Sequence, residues 1–325
     1  EQSGSVVSIY SCENNNISYC TITGGSNQVG GGIKMQSSQL ELHNVLLVDN
    51  FAGSHGGALS ATGTGHFLLI NNSKIFNNTS GGGAGGGLHF EFAYVEIANS
   101  IIKGNTALSE GGGLWAVYGD LFLYNTVIDS NTVHNYGGGG LFFAFEINVE
   151  IINSAIINNI SYEDGGGIEI FGGELGSFSF INTTIAMNYA SGDGGGIYAP
   201  YFTQPNNFLV NSILSGNQPD QYVLDCENFT LSFNNINGVS ECLGGVNNIN
   251  TTPLFVDPEN GDFTLQPNSS CIDAGTSYYE IDGEVIVDIE ESEYYGIAPD
   301  MGAFEWYSEI GDINSDGLVN IQDII

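Results

Sequence analysis

Apolar residues along most of this chain fall at every second position in short runs, and each run ends at an asparagine. Four and two residues before that Asn stand Leu40/Leu42, Leu68/Ile70, Val95/Ile97, Leu121/Leu123, Val149/Ile151 and Phe178/Phe180. The residue between is Glu41, Leu69, Glu96, Phe122, Glu150 or Ser179. A period of two with one apolar set predicts strands with one buried face, not helices.

The asparagine opens a phrase of constant length: Asn, two residues, Leu or Ile, two residues, Asn. It begins at Asn44, Asn72, Asn99, Asn125, Asn153, Asn182 and Asn211, so successive copies start 26 to 29 residues apart. Between copies runs a second phrase, Gly-Gly-Gly-Ile/Leu, ending at Ile33, Leu59 (as Gly-Gly-Ala-Leu), Leu88, Leu114, Leu141, Ile168 and Ile197. Fixed-period self-similarity of this kind means stacked units rather than one globular core. Three short strands with Gly- and Asn-rich corners fill one such unit, which predicts a coil of a parallel β-helix and an all-β chain of about 8–10 coils.

Stacking sets like residues over like at roughly 4.8 Å. Leu47, Ile75, Ile102, Ile128, Ile156, Ile185 and Leu214 are then an inner aliphatic column. The two Asn columns, Asn44 to Asn211 and Asn50 to Asn217, fall where the chain turns. Asn tolerates left-handed backbone angles, and its amide can bond to the next amide in a ladder. The glycines let the backbone bend into the first strand. These residues read as structural. The triple glycine is not a phosphate loop, since no Lys or Ser/Thr directly follows it and no helix is signalled.

Residues 1–32 read as an imperfect first coil, with CTITGG from Cys20 in place of the Asn phrase. Regular coils run over about 20–217, and irregular closing coils with a C-terminal segment over 218–306, together one β-helix unit at 1–306. A solenoid needs an atypical end that covers its open strand edge.

Charge narrows the partners. There are 37 acidic residues against Lys34, Lys74 and Lys103, and no Arg, giving a formal net charge of −34. Nucleic acid and anionic membrane surfaces are excluded as partners, because nothing can neutralise their phosphates. Such a surface suits a salty or calcium-containing exterior, where self-repulsion is screened. No run of 18 apolar residues predicts a transmembrane segment. Glu1 is not followed by a basic, apolar leader, so the chain reads as mature or trimmed. Of the five cysteines, Cys12/Cys20 and Cys226/Cys242 lie close enough in sequence to pair, in keeping with secretion. Cys271 reads as a buried small apolar residue.

The sharpest chemistry is at 311–325, GDINSDGLVNIQDII. Asp312, Asn314, Asp316, Gly317, Asn320 and Asp323 occupy positions 1, 3, 5, 6, 9 and 12 of a calcium loop, with Leu318 offering its backbone carbonyl. Oxygen ligands at this spacing and Gly at the turn predict a Ca²⁺ site. Asp at position 12 resembles the type I dockerin repeat, and 307–325 carries one loop and the first residues of a helix. That resemblance implies the start of a dockerin-like calcium-binding module and a cohesin-type partner.

Two further resemblances bear on the fold. PLFVDPENGDFTLQPNSSCIDAG from Pro253, followed by APDMGAFEW from Ala298, is similar to the C-terminal segment of bacterial secreted right-handed parallel β-helix repeat proteins. The GGGI and I-x-x-N phrases resemble the repeats of chlamydial polymorphic outer-membrane proteins, which are surface adhesins. The first covers most of residues 20–306, and together they imply a right-handed, single-stranded solenoid at the cell surface or outside it. They do not imply one activity, because the group mixes adhesins, polysaccharide-active enzymes and other proteins.

Two columns carry candidate chemistry. The outward residue after each GGGI/L is Lys34, Ser60, His89, Trp115, Phe142, Glu169 or Tyr198. Facing solvent, His89, Trp115, Phe142 and Tyr198 are a track on which sugar rings can stack. The alternative is cross-coil packing that strengthens the ladder. Four residues before each Ile/Leu stand Val29, His55, Ala84, Glu110, Gly137, Asp164 and Asp193. Glu169, Asp164 and Asp193 are candidate catalytic acids of a glycoside hydrolase, one carboxyl raised by another. A cation site and a solvated turn are the alternatives. A lyase is disfavoured, since it needs a cation, Lys or Arg to stabilise charge beside a uronate, and this wall has one Lys at its edge. No GxSxG, HExxH or CxxC pair is present.

The sequence therefore points to a secreted or cell-surface β-helix of structural, adhesive or glycan-binding role with a calcium-binding tail. A polysaccharide-degrading enzyme and an end-to-end, self-associating fibre subunit are the rivals.

Overall fold

The period-two alternation becomes the walls of an all-β parallel solenoid of about eight turns. The computed structural model describes residues 4–172, 176–201, 206–238 and 245–307. The calcium-loop residues Asp312, Asn314, Asp316, Leu318, Asn320 and Asp323 lie outside the described residues, as does Cys242 and with it the Cys226/Cys242 pairing.

Each regular coil has four sides rather than the expected three. Wall 1 starts at Val7–Tyr10 and Ile33–Gln36, and wall 2 at Asn15–Ser18 and Gln39–His43. Wall 3 is a nine-stranded sheet from Thr21–Thr23 to Asn235–Ile236. Wall 4 is a seven-stranded sheet of short strands such as Thr79–Ser80 and Thr106–Ala107, placed just after the closing Asn. Two-residue strands leave no alternation to read, which is why the sequence hides this side. In the middle coils walls 1 and 2 fuse into single bent strands, Leu88–Ala98, Leu114–Tyr124 and Leu141–Ile152.

Like does sit over like. Leu47 pairs with Ile75, Ile75 with Ile102, Ile102 with Ile128, and so on to Leu214, and all seven are fully buried. The first coil is complete in its strands, with Val7 over Ile33 and Ile22 over Leu47, although it lacks the Asn phrase.

The two Asn columns have separate jobs. Every opening Asn is left-handed, with φ between 47° at Asn125 and 55° at Asn44, so this column solves a backbone problem. The closing Asn residues are buried and keep ordinary φ. Asn50 donates from Nδ2 to Oδ1 of Asn78 at 3.0 Å, and the same bond repeats through Asn105, Asn131, Asn159 and Asn188 to Asn217. Each Oδ1 also accepts the backbone N–H of the Asn one coil earlier, for example Asn105 N to Asn131 Oδ1 at 2.9 Å. A third ladder follows the opening Asn, where Ser73, Ser100 and Ser154 accept from the preceding coil's backbone N–H at 3.0–3.1 Å.

After Ile236 the chain does not simply cap the open end; it folds back along the outside. Phe255, Phe263, Leu265, Cys271 and Met301 form a second core against Ala155, Ile157, Ala186 and Ile213 on the outer face of wall 3. Gly302 N–H bonds to Asn211 O at 2.7 Å, and Ala303 N–H to Thr184 Oγ1 at 2.9 Å. The antiparallel hairpin Tyr278–Ile281/Glu284–Asp288 packs Val287 against Ile181, Phe208 and Val210 on wall 2. Cys271 is buried there as expected, with Asn235 Nδ2 at 3.0 Å from its Sγ. Cys12 and Cys20 are exposed free thiols, so the expected bridge between them is not formed. The extended strand Asn15–Ser18 separates them, and even four extended residues span about 13 Å, against the roughly 7 Å Cα limit of a disulfide.

Candidate functional site

The wall 1 column forms in the expected register: Lys34 over Ser60, then His89, Trp115, Phe142, Glu169 and Tyr198 on successive coils. Its rings do not face solvent. His89, Phe142 and Glu169 are buried, and Trp115 and Tyr198 are half-buried. The turn that precedes the Gly-Gly-Gly phrase lies against His89, Trp115, Glu169 and Tyr198, while Phe142 is covered by its neighbours on wall 1.

That turn carries the second column, and the two interlock. His55 stacks on His89 at 4.7 Å, and His89 on Trp115 at 4.5 Å with planes 1° apart. Trp115 Nε1 donates to Glu110 Oε2 at 2.9 Å. Phe142 packs against Val117 and Ala144, with Trp115 and Tyr118 on the flank. Burial pushes the His89 imidazolium pKa down to about 3, with His55 adding to the effect, so the ring is neutral.

Carboxyl groups gather around Glu169. Burial, then the neighbouring Asp164 and Glu110 charges, push its pKa up to about 8. Its Oε2 has no hydrogen-bond partner, and a Cβ on Gly137 would overlap that oxygen. Asp164 Oδ1 accepts the Asp193 N–H at 2.8 Å. Tyr198 is raised to about 12, first by burial and then by the Asp164 carboxylate, to which it is hydrogen-bonded. Asp164 and Glu169 are thus brought together with Glu110 and Tyr198, whereas Asp193 is exposed and meets the group through its backbone. Among the described residues, no three His, Cys, Asp or Glu side chains converge as metal ligands.

Two aromatic rows lie outside the expected column. At the corner between walls 1 and 2, Phe92, Tyr118 and Phe145 adopt left-handed backbone angles of 55°, 54° and 58°, rare for bulky residues. Their rings stack at 4.6 and 5.3 Å with planes within 10°. The signal was in the sequence: each stands four residues after Leu88, Leu114 or Leu141.

The second row is on the outer face of wall 2. Phe67 lies over Tyr94 and Tyr94 over Asp120, while beside them Leu69, Glu96, Phe122 and Glu150 follow one another. Ring centroids are 5.6 Å for Phe67–Tyr94, 5.2 Å for Tyr94–Phe122 and 6.2 Å for Phe122–Tyr124, with planes inclined by 15°, 40° and 28°. Tyr94 is 41% exposed. Tyr124 Oη donates to Glu150 Oε1 at 2.8 Å. Aromatic and carboxylate groups therefore stand side by side on two adjacent columns of this outer face, half-buried except for the exposed Tyr94. The outward positions of wall 2 change in residue type from coil to coil, so this pairing across coils leaves no repeated signal in the sequence.

Comparison of the chain with protein-family models, curated proteins and solved structures returns no match. The resemblance to surface-exposed β-helix repeats rests on the residue patterns quoted above. No helix among the described residues is long and apolar enough to cross a membrane.

Proposed function

We propose that this chain is an extracellular or cell-surface solenoid that binds an uncharged glycan along the outer face of wall 2, with a calcium-binding tail at 311–325. The observation that carries the reading is the row Phe67, Tyr94 and Phe122 on three successive coils, with Tyr124 beside Phe122 on the same strand, next to Asp120, Glu96 and Glu150. A pyranose has one apolar face and a rim of hydroxyls, and it pairs with an aromatic ring flanked by hydrogen-bond acceptors. Tyr94, 41% exposed, keeps part of its ring open to a ligand. The wall 1 column spends its faces on its own neighbours, His89 and Trp115 above all. With three Lys and no Arg, the protein repels sulfated or uronic glycans. A glycan array followed by titration tests this. Binding of neutral oligosaccharides that is lost in Tyr94→Ala and Phe122→Ala supports it; binding that survives both changes overturns it.

A second reading, a glycoside hydrolase, is favoured by one observation: a buried carboxyl at Glu169, held protonated near neutral pH beside Asp164. Such a pair has the form of a general acid with a charged partner. Release of oligosaccharides that stops in Glu169→Gln is its test.

A further inference from the structure

The outer face of wall 2 does not stop where its aromatic row stops. The column Glu96, Phe122, Glu150, Ser179 and Phe208 continues in register, coil over coil. Past Phe122 and Tyr124 this face runs beneath the hairpin Tyr278–Ile281/Glu284–Asp288. The neighbouring column is Tyr124, Ile152, Ile181 and Val210. There Val287 of the hairpin packs against Ile181 and Val210. The hairpin is thus held by one side of the face and roofs the other, leaving a cleft of about 940 Å³.

Row and cleft meet at Glu150, which accepts the Tyr124 O–H at 2.8 Å and also lines the cleft. Beyond it stand the exposed amides of Asn148 and Asn153 and the exposed hydroxyl of Ser177, together with the apolar side chains of Ile152 and Val285. Donors, acceptors and apolar patches in one slot match the hydroxyl rim and ring faces of a sugar chain. Among the described residues that line the cleft there is no Lys, Arg or His to hold an anionic glycan. Its volume is that of a small-molecule site, enough for a few sugar units.

We infer that the row and the cleft are two halves of one groove, which takes a single linear chain of a neutral polysaccharide. This rests on the reading of the wall 2 row as a glycan site. The groove runs from Leu69 through Glu96, Phe122, Glu150 and Ser179 to Phe208, about 24 Å along the solenoid. A trisaccharide is too short to cover both halves, and a hexasaccharide is long enough. The roof excludes a packed polysaccharide surface, which has no free chain to pass beneath a strand.

The test is calorimetric titration of the whole protein with matched trimers and hexamers of β-1,4-linked glucose, xylose and mannose. The hexamer of the recognised sugar should bind about tenfold more tightly than its trimer, the gain from one or two further hydrogen bonds. Val285→Arg plugs the cleft from the roof and Ser177→Arg from the floor; both positions are exposed, so the fold should tolerate them. In each variant the hexamer should fall to the affinity of the trimer. Equal binding of trimer and hexamer by the native protein, or a gap that survives both substitutions, would overturn the cleft while leaving the row in place. No binding of any trimer or hexamer would overturn the row as a glycan site, and the cleft with it.

Discussion

His89 and Trp115 lie ring on ring, 4.5 Å between centroids and 1° between planes, on neighbouring coils of wall 1. Each ring uses a face on the other, and Trp115 uses its N–H on Glu110. Trp115→Ala should therefore act on stability, not on ligand affinity. It opens a cavity under the turn and leaves the Glu110 carboxyl, already raised by burial, without its donor. The expected loss is roughly 2–4 kcal/mol, read as a lower denaturant midpoint. Glycan affinity should be unchanged; a binding defect in a variant of normal stability would return the glycan site to wall 1.

The closing-Asn ladder makes a second claim. Asn131 donates from Nδ2 to Ile102 O and to Asn159 Oδ1, and its own Oδ1 accepts two N–H groups of Asn105. Asn131→Ala leaves several buried polar groups unpaired at once, each costing about 1–3 kcal/mol. It should destabilise the solenoid by about 3–5 kcal/mol. Asn125→Gly, on the opening column, should cost far less, because glycine supplies the left-handed angle directly. Chemical denaturation of both variants checks the contrast, and equal losses would erase the distinction between the columns.

Those two columns show how far the sequence could be read. The six-residue spacing of the Asn phrase and the alternation before it contained the coil, its register and the inner column from Leu47 to Leu214. A repeat, however, says which residues stack and not what lies over the stack. The turns that lie against His89 and Glu169 are themselves part of the repeat, and only their three-dimensional path shows them folded inward. Where Asn211 bonds was unreadable for another reason: its Nδ2 donates to the backbone carbonyl of Thr276, 65 residues away in a segment without the repeat.

Glu169 gives the chain a pH dependence with a definite sign. Its folded-state pKa is raised to about 8, while the unfolded chain returns it to the ordinary carboxyl range. The folded state therefore holds the proton where the unfolded state has lost it. The contribution to stability is complete below the unfolded pKa and is lost as pH rises through about 8. Across that window it falls by up to about 1.4 kcal/mol per pH unit. Asp300, raised to about 7 by burial, has the same sign. Glu169→Gln should flatten the decline between pH 5 and 8, leaving the part due to Asp300. Denaturant midpoints measured across that range in both proteins give the comparison; parallel slopes would show that Glu169 titrates normally in the folded state.

Calcium should act on the tail and leave the coils alone. Asp312, Asn314, Asp316, Asn320 and Asp323 stand at the positions a calcium loop requires. The solenoid draws its stability from the buried columns between Val7 and Ile236 and from the apolar contacts of the returning segment, which ends at Trp306. None of these needs a metal. Adding Ca²⁺ should protect 311–325 from proteolysis, and chelation should expose that segment while the far-ultraviolet β-signature and the melting of the coils stay as they were. Collapse of the β-signal on chelation would mean that the ion holds the solenoid itself. Protease sensitivity of 311–325 that is indifferent to Ca²⁺ would remove the calcium site.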